Sequence, residues 1–431
     1  MNIEEIYKIY QEYPSIQTDT RKLKKDDLFF ALKGPNFNGN LFAEKALEKG
    51  AAYVFTDEKI SFTHNRIIQT DNALETLQQL ARFHREQFNI PSGNKSRIPF
   101  IAITGSNGKT TTKELVHEVL STTYVTYTTQ GNLNNHIGIP LTILKIKPDA
   151  EMAVIEMGAN HLKEIAGYCE YTMPTHGLIT NIGKAHLEGF GSVENVKKGK
   201  GELFDYLKNN GTAFINSDDE AVVELSENLN EKIFYGSAGT DLCGKIIKSD
   251  PFPELRILGT HPFDIKTKLA GVYNFPNVLA AVCIGKYFKV NEKKIKAAIE
   301  NYTPSNSRSQ LIHQNSNTIL LDAYNANPGS MKAAIENFAT MKGNKKVLLL
   351  GSMMELGADS EKEHAELISL IDKYNWHSVV LVGKNFNSIN HKYIKYDSAL
   401  EVKHWLQKQH LENAQILIKG SRSMQMEKVL E

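Results

Sequence analysis

The chain is 431 residues long, 41% hydrophobic and 23% charged, the composition of a globular protein of about three domains at roughly 150 residues each. Fifty basic against 49 acidic side chains leave a formal net charge of +1, without the broad basic footprint of a nucleic-acid binder. No run approaches the ~18 consecutive apolar residues of a membrane span, and the start M-N-I-E-E-I-Y lacks the basic-then-apolar pattern of a signal peptide. Cys169, Cys243 and Cys283 are too scattered for a disulfide framework or a C-x-x-C metal site. These features predict a cytoplasmic protein with no nucleic-acid or membrane partner, and nothing in them asks for more than a monomer.

In chain order, residues 1–95 hold short strand-like pieces at 27–32 and 52–55. A helical run follows in which Leu74, Leu77, Ala81 and Phe88 share one face. The stretch 89–99, N-I-P-S-G-N-K-S-R-I-P, has two prolines, a glycine and no periodicity. It reads as a linker closing a small N-terminal α/β domain over 1–95.

An apolar strand at 100–103 then feeds T-G-S-N-G-K-T-T-T at 104–112, and Leu115, Val116, Val119 and Leu120 mark a helix after it. Strand, glycine-rich turn and helix are the setting in which Gly105, Ser106, Asn107, Gly108 and Thr111 cradle a triphosphate with backbone N–H groups and the positive helix end. Lys109 then reaches the outer phosphates and the Thr110 hydroxyl can hold Mg²⁺. The common form G-x-x-x-x-G-K-[ST] would place glycine where Ile103 stands, so this loop is the variant T-G-x-x-G-K-T.

Three more apolar strands end in polar residues: 153–155 into Glu156, 178–179 into Thr180 and Asn181, and 213–215 into Asn216. They predict a central, mostly parallel, P-loop ATPase-like sheet over 96–308, with ligands gathered beyond the carboxyl ends of its strands. After a second break at 302–310, strands at 347–350, 379–382 and 416–419 each run into a glycine turn. That alternation predicts a Rossmann-like C-terminal domain over 309–431. No G-x-G-x-x-G follows these strands, so a dinucleotide cofactor is not supported.

Residue chemistry alone gives Glu156 a metal-ligand reading, because Mg²⁺ needs few protein ligands beside phosphates. His186 reads equally as a structural histidine or a ligand. Lys200, in K-K-G-K-G-E, reads as a solvated lysine, and Glu202 as a carboxylate at a helix start. The short basic runs at 22–25 and 293–296 read as solvated faces.

Seven segments in order carry a more specific signal: T-G-S-N-G-K-T-T-T-K-E, E-M-G-A-N, T-N-I-G-K-A-H-L-E-G-F-G-S, K-G-E, G-V-Y-N-F-P-N, D-A-Y-N-A-N-P and L-I-K-G-S-R. Together they resemble the Mur ligases of peptidoglycan synthesis over essentially the full chain. D-A-Y-N-A-N-P resembles the branch that joins D-alanyl-D-alanine to UDP-N-acetylmuramoyl-tripeptide. The resemblance implies a catalytic set of Lys109, Glu156, His186 and Lys200. Lys109 and Thr110 would serve ATP phosphates and Mg²⁺, Glu156 and His186 the metals, and Lys200 would carry a carbamate able to ligate a second Mg²⁺ or orient its water. It further implies that Asn274 and Asn277 contact adenine, Arg308 reaches the γ-phosphate, and Asp322, Tyr324, Asn325 and Asn327 close the nucleotide site, Asp322 at the ribose. Asp19, Thr20 and Arg21 would take the sugar nucleotide, and Asn134, Asn135 and His136 the muramoyl part. Asn327, Lys419 and Arg422 would lie on the peptide-substrate side. Ser352 stands where the family usually has aspartate.

The implied reaction is ATP-driven amide formation through an acyl phosphate, which water would destroy. Closure by domain rotation about the linkers at 89–99 and 302–310 is therefore expected. The alternatives are a sister Mur or folylpolyglutamate-type ligase using another amine, and a P-loop ATPase without ligation.

Overall fold

The computed structural model describes residues 1–62, 64–89, 97–305 and 307–431. The expected linkers fall partly outside the described residues, at 90–96 and at 306, and so does the expected boundary at 95/96. The chain forms two compact units: Met1–Ala102 with Tyr124–Ala159 and Lys163–Gly177, and Ile103–Thr123 with Asn160–Leu162 and Leu178–Glu431.

In the second unit, the helix Lys109–Ser121 follows the phosphate loop and buries Leu115, Val116, Val119 and Leu120 completely. It packs on the helix Phe275–Tyr287, where Gly285 permits the approach, since a Cβ there would lie 2.6 Å from Val119 Cγ1. Strands of this unit run side by side in the order Phe263–Lys266, Glu254–Ile257, Leu242–Lys248, Glu231–Gly236 and Thr212–Asn216. The expected parallel pairing holds from Thr212–Asn216 through Leu242–Lys248, after which Glu254–Ile257 and Phe263–Lys266 add an antiparallel extension. The sequence signal missed that extension because Ile246 and Ile247 are exposed, which breaks the period-2 alternation of a half-buried strand.

A six-stranded sheet in the same unit has the order Gln310–Gln314, Asn317–Asp322, Gln415–Lys419, Lys346–Gly351, Ser378–Val382 and Ile394–Tyr396. Only its first pair is antiparallel. Ile319, Val347, Leu349, Val380, Ile416 and Ile418 form its core, the continuous apolar runs expected of strands covered on both faces. The parallel register sets Asp322 beside Lys419 at the carboxyl edge.

The first unit holds a four-stranded parallel sheet, Ile16–Gln17, Leu28–Phe30, Tyr53–Thr56 and Ile67–Gln69. Beside it runs the helix Ala73–Gln87, capped by Asn72, whose Oδ1 accepts from the Leu74 and Glu75 amides. The buried face is Ala73, Leu77, Leu80, Ala81, His84 and Arg85. Leu74 is only half-buried and Phe88 lies at the C-cap, so the inward stripe turns through Leu80 and Arg85 rather than through the expected pair. Among the described residues, no helix is long and apolar enough to cross a membrane.

Arg85 is fully buried, and its fork closes the C-terminus of another helix, Glu164–Thr172. Nε donates to Thr172 O at 2.9 Å and Nη2 to Met173 O at 3.0 Å, while the guanidinium lies 3.7 Å over the Phe100 ring. A cation at a helix C-terminus meets the negative end of its dipole, and the buried carbonyls gain donors they would otherwise lack. Arg85→Ala therefore costs about 3 kcal/mol of stability, read as a lowered urea midpoint. Arg85→Lys does not restore it, because a point charge cannot span both carbonyls as a planar fork does.

Candidate active site

The phosphate loop is pinned to the next strand end. Asn107 N donates to Asn181 Oδ1 at 3.0 Å, while Asn107 O accepts from Thr180 Oγ1 at 2.6 Å and Asn181 Nδ2 at 2.9 Å. Ser106 N donates to Asn181 O at 3.0 Å, and Ser106 Oγ pairs with the backbone of Gly183. Two glycines make the closeness possible. Gly105 has φ +135 and a Cβ there would lie 2.1 Å from Thr180 Oγ1; Gly108 has φ +81 and a Cβ there would lie 2.6 Å from Asn277 Oδ1. Lys109 folds back over this turn, Nζ donating to Gly105 O at 2.7 Å and Ser106 O at 3.2 Å. Thr110 and Thr111 follow, both buried in the first turn of the helix. A backbone turn this tight, opening the N-terminus of a 13-residue helix with a lysine over it, fits an oligophosphate.

Asn274 and Asn277 are buried behind the loop, tied to each other and to the phosphate helix. Asn277 Nδ2 donates to Asn274 Oδ1 at 3.0 Å, Asn277 Oδ1 accepts from Thr112 Oγ1 at 3.1 Å, and Asn274 Nδ2 donates to Ala270 O at 2.9 Å. The C-terminal segment brings its expected residues to one cluster. Lys419, 2% exposed, donates to Asp322 Oδ2 at 2.5 Å and to Asn325 O at 3.3 Å. Asp322 also accepts from Ser309 N at 3.1 Å. The Arg308 guanidinium stacks 3.6 Å over the Tyr324 ring, with Arg422 at 5.8 Å from the same ring. Arg422 also pairs with Glu427 at 2.7 Å. Asn327 reaches the loop itself, donating from Nδ2 to Asn107 Oδ1 at 2.8 Å.

His186 takes a left-handed backbone, φ +53, at the start of the short helix Leu187–Phe190. Its Nδ1 stands 2.5 Å from Glu355 Oε2, a close approach outside good hydrogen-bond geometry. The ring holds the Glu355 carboxyl below its ordinary range against the effect of burial, and the Lys109 charge adds to this. Sequence carried no signal for Glu355. Ser352 is fully buried, its Oγ donating to Val382 O at 3.1 Å, so the hydroxyl is used inside the fold.

Lys200 corrects the solvated reading: it is fully buried, on the face of helix Val193–Leu207 that also carries Val196, Leu203, Phe204 and Leu207. The apolar period around it was the available signal. The flanking glycines let the helix pack this closely, since a Cβ on Gly199 would lie 2.5 Å from Phe190 Cε1 and one on Gly201 2.8 Å from Leu225 Cδ2. The Lys200 ammonium is 5.3 Å from the centre of the Phe190 ring. Glu202 lies well inside the same helix rather than at its start.

In the first unit, Glu156 ends its strand 1% exposed, its N donating to Thr129 Oγ1 at 3.0 Å and its Oε1 accepting from Asn134 Nδ2 at 2.7 Å. Asn135 Oδ1 accepts from Gly138 N at 2.9 Å, and His136 O accepts from Gln78 Nε2 at 3.0 Å. Asp19 accepts from the backbone and side chain of Arg21, which hold its carboxyl down at about 2. Thr20 O accepts from Lys49 Nζ at 2.7 Å. Among the described residues, no three His, Cys, Asp or Glu side chains cluster as a ready metal cage. A hydroxyl, a carboxylate and an imidazole suit Mg²⁺ only as partial ligands beside phosphate oxygens, and that is the way this ion usually binds. Gly108→Ala is expected to displace Asn277 or the loop and to weaken Mg·ADP binding at least about tenfold by calorimetry, with little change in far-ultraviolet circular dichroism.

Comparison with known proteins accounts for the whole series of segments. The Mur ligase family catalytic domain matches residues 12–85, the Mur ligase middle domain 103–285, and the Mur ligase glutamate ligase domain 307–422. A relative in Bacillus subtilis (strain 168), named UDP-N-acetylmuramoyl-tripeptide–D-alanyl-D-alanine ligase, is 35% identical, the alignment covering 96% of this chain and 92% of the relative. A crystal structure of MurF from Acinetobacter baumannii matches with TM-score 0.87 at 29% identity, over 96% of this chain and 92% of that one. MurF ligase from Thermotoga maritima, solved in complex with ADP, matches with TM-score 0.85 at 26% identity over 96% of each chain. The fold is the α/β, three-domain architecture of these enzymes, and the chain belongs to the Mur ligase family.

Proposed function

We propose that this chain adds D-alanyl-D-alanine to UDP-N-acetylmuramoyl-tripeptide at the expense of ATP, a cytoplasmic step of peptidoglycan precursor synthesis carried out by a monomer. The observation that carries the reading is the pinned phosphate loop with the D-A-Y-N-A-N-P segment bonded to its tip. Residues 1–95 would bind the UDP-sugar, 96–308 the nucleotide, and 309–431 would complete the site. The matched family segments at 12–85, 103–285 and 307–422 support that division.

Carboxylate and amine meet in water as two ions, neither disposed to react. The tripeptide's terminal carboxylate oxygen attacks the γ-phosphorus, the bond to the β-phosphate oxygen breaks, and ADP leaves with an acyl phosphate formed. The amine of D-alanyl-D-alanine, having lost a proton, then attacks the acyl carbon, and inorganic phosphate departs from the tetrahedral adduct. Lys109 and the loop N–H groups oppose the charge on the phosphoryl group in transfer. Arg308 would add a planar fork at the γ-phosphate once it leaves Tyr324. Mg²⁺ supplies further neutralisation when bound. Thr110, Glu156 and His186 would hold it, and a carbamate on Lys200 would turn a buried cation into an anion able to take a second ion. Asn274, Asn277, Asp322, Tyr324 and Asn325 would surround the nucleoside. Asp19, Thr20, Arg21, Asn134, Asn135 and His136 would hold the sugar nucleotide, and Lys419 and Arg422 the peptide side.

Phosphate release from Mg·ATP should require both UDP-N-acetylmuramoyl-tripeptide and D-alanyl-D-alanine, with a product heavier by the dipeptide residue mass. Release without either substrate would overturn the ligase reading, and turnover with another amine alone would move the chain to a sister ligase. Lys200→Ala should lower kcat by about a hundredfold or more, and a short carboxylate such as acetate should restore part of it, because the missing element is an anion. Full activity in Lys200→Ala, or rescue by a short amine instead, would remove the carbamate.

A further inference from the structure

Asn327 is bonded more richly than a helix cap requires. It opens the helix Pro328–Thr340 through a capping box: Oδ1 accepts from Ser330 N at 2.9 Å, and Asn327 N donates to Ser330 Oγ at 3.0 Å. The box consumes the amide oxygen and leaves the amide nitrogen, which donates to Asn107 Oδ1 at 2.8 Å. Asn107 is the loop residue whose N and O are both held by the strand end at Thr180 and Asn181. Serine, threonine and aspartate cap a helix as well as asparagine does. Of these, only asparagine carries the acceptor for the cap and a donor for a second partner on two separate atoms, and here Oδ1 serves Ser330 while Nδ2 serves Asn107. The choice of side chain at 327 is thus explained by the loop, not by the helix.

We propose that Asn327 is a positioning residue for the phosphate loop: by holding Asn107 it ties the C-terminal segment to the nucleotide phosphates. Nucleotide affinity then depends on that segment being docked. A loop already fixed in its binding geometry spends less of its binding energy on ordering. The proposal deepens the nucleotide reading above and rests on it.

The experiment is calorimetric titration of Mg·ADP into the full chain and into Asn327→Ser, Asn327→Asp, Asn107→Ala and the double variant Asn107→Ala with Asn327→Ser. Loss of one hydrogen bond should weaken ADP binding about fivefold in Asn327→Ser and in Asn107→Ala. The double variant should be no weaker than either, because both remove the same contact. Asn327→Asp should bind ADP more weakly still, since it sets a negative charge against the loop that holds the phosphates. Thermal midpoints of the two Asn327 variants should fall by no more than the loss of one hydrogen bond costs, because both keep the cap. Unchanged ADP affinity overturns the proposal, as does a KM rise confined to the sugar-peptide substrate, which would make Asn327 a substrate contact. A lowered midpoint with full ADP affinity would leave it a cap alone and likewise overturns it. Wild-type chain that binds no ADP would defeat the nucleotide reading itself, an outcome distinct from equal binding by wild type and variants.

Discussion

Everything in the second unit is organised around one short turn that must stay open to phosphate oxygens while being closed on every other side. Two of its backbone N–H groups, those of Ser106 and Asn107, are spent on Asn181, and nothing in a glycine-rich segment fixes such a turn by itself. The enforcement comes from outside the loop. Thr180 and Asn181 hold the backbone of Asn107, Asn277 fills the space a side chain at Gly108 would need, and Asn327 bonds the Asn107 side chain. The glycines allow the turn, and the asparagines and threonine around it select one conformation.

The same constraint accounts for where the other polar side chains went. Asn274 and Asn277 spend amide groups on each other, on Thr112 and on Ala270, which fixes the helix Phe275–Tyr287 against the phosphate helix. Lys419 pairs with Asp322 across the parallel register that sets them side by side. These are buried charges and amides with partners, the condition under which burial of such groups is tolerated. Their order before a substrate arrives reduces what must be rearranged when it does.

Sequence disclosed the strands and the loop readily, because apolar runs ending in polar residues and a glycine-lysine-threonine turn are local patterns. Strands at 100–103, 153–155, 178–179 and 213–215 lie within the strands of the fold, and their polar ends carry Glu156, Thr180 and Asn181. Residue type hides Lys200: K-G-K-G-E reads as solvated, yet the apolar spacing of Val196, Leu203 and Phe204 puts the lysine on the buried face. Glu355 and the Asn107–Asn327 bond left no trace, because they join residues far apart in the chain and neither depends on a periodic pattern. Local periodicity reports what an element buries, whereas pairings between distant loops are settled by topology.

Those distant pairings have a common direction. Lys184 reaches Glu363 at 2.5 Å, His186 meets Glu355, Glu188 N donates to Glu355 O at 3.0 Å, and Asn107 meets Asn327. In each pair one partner belongs to the phosphate loop or the segment 184–188, and the other to the segment after 307. ATP-dependent amide formation benefits from such pairings, since a reactive intermediate survives only where water is kept out. Several small polar contacts, each worth about 1 kcal/mol net, can form and break within a catalytic cycle. The polarity of these pairs thus joins the phosphate loop and the segment 184–188 to the segment after 307 by bonds of the modest strength that polar contacts have.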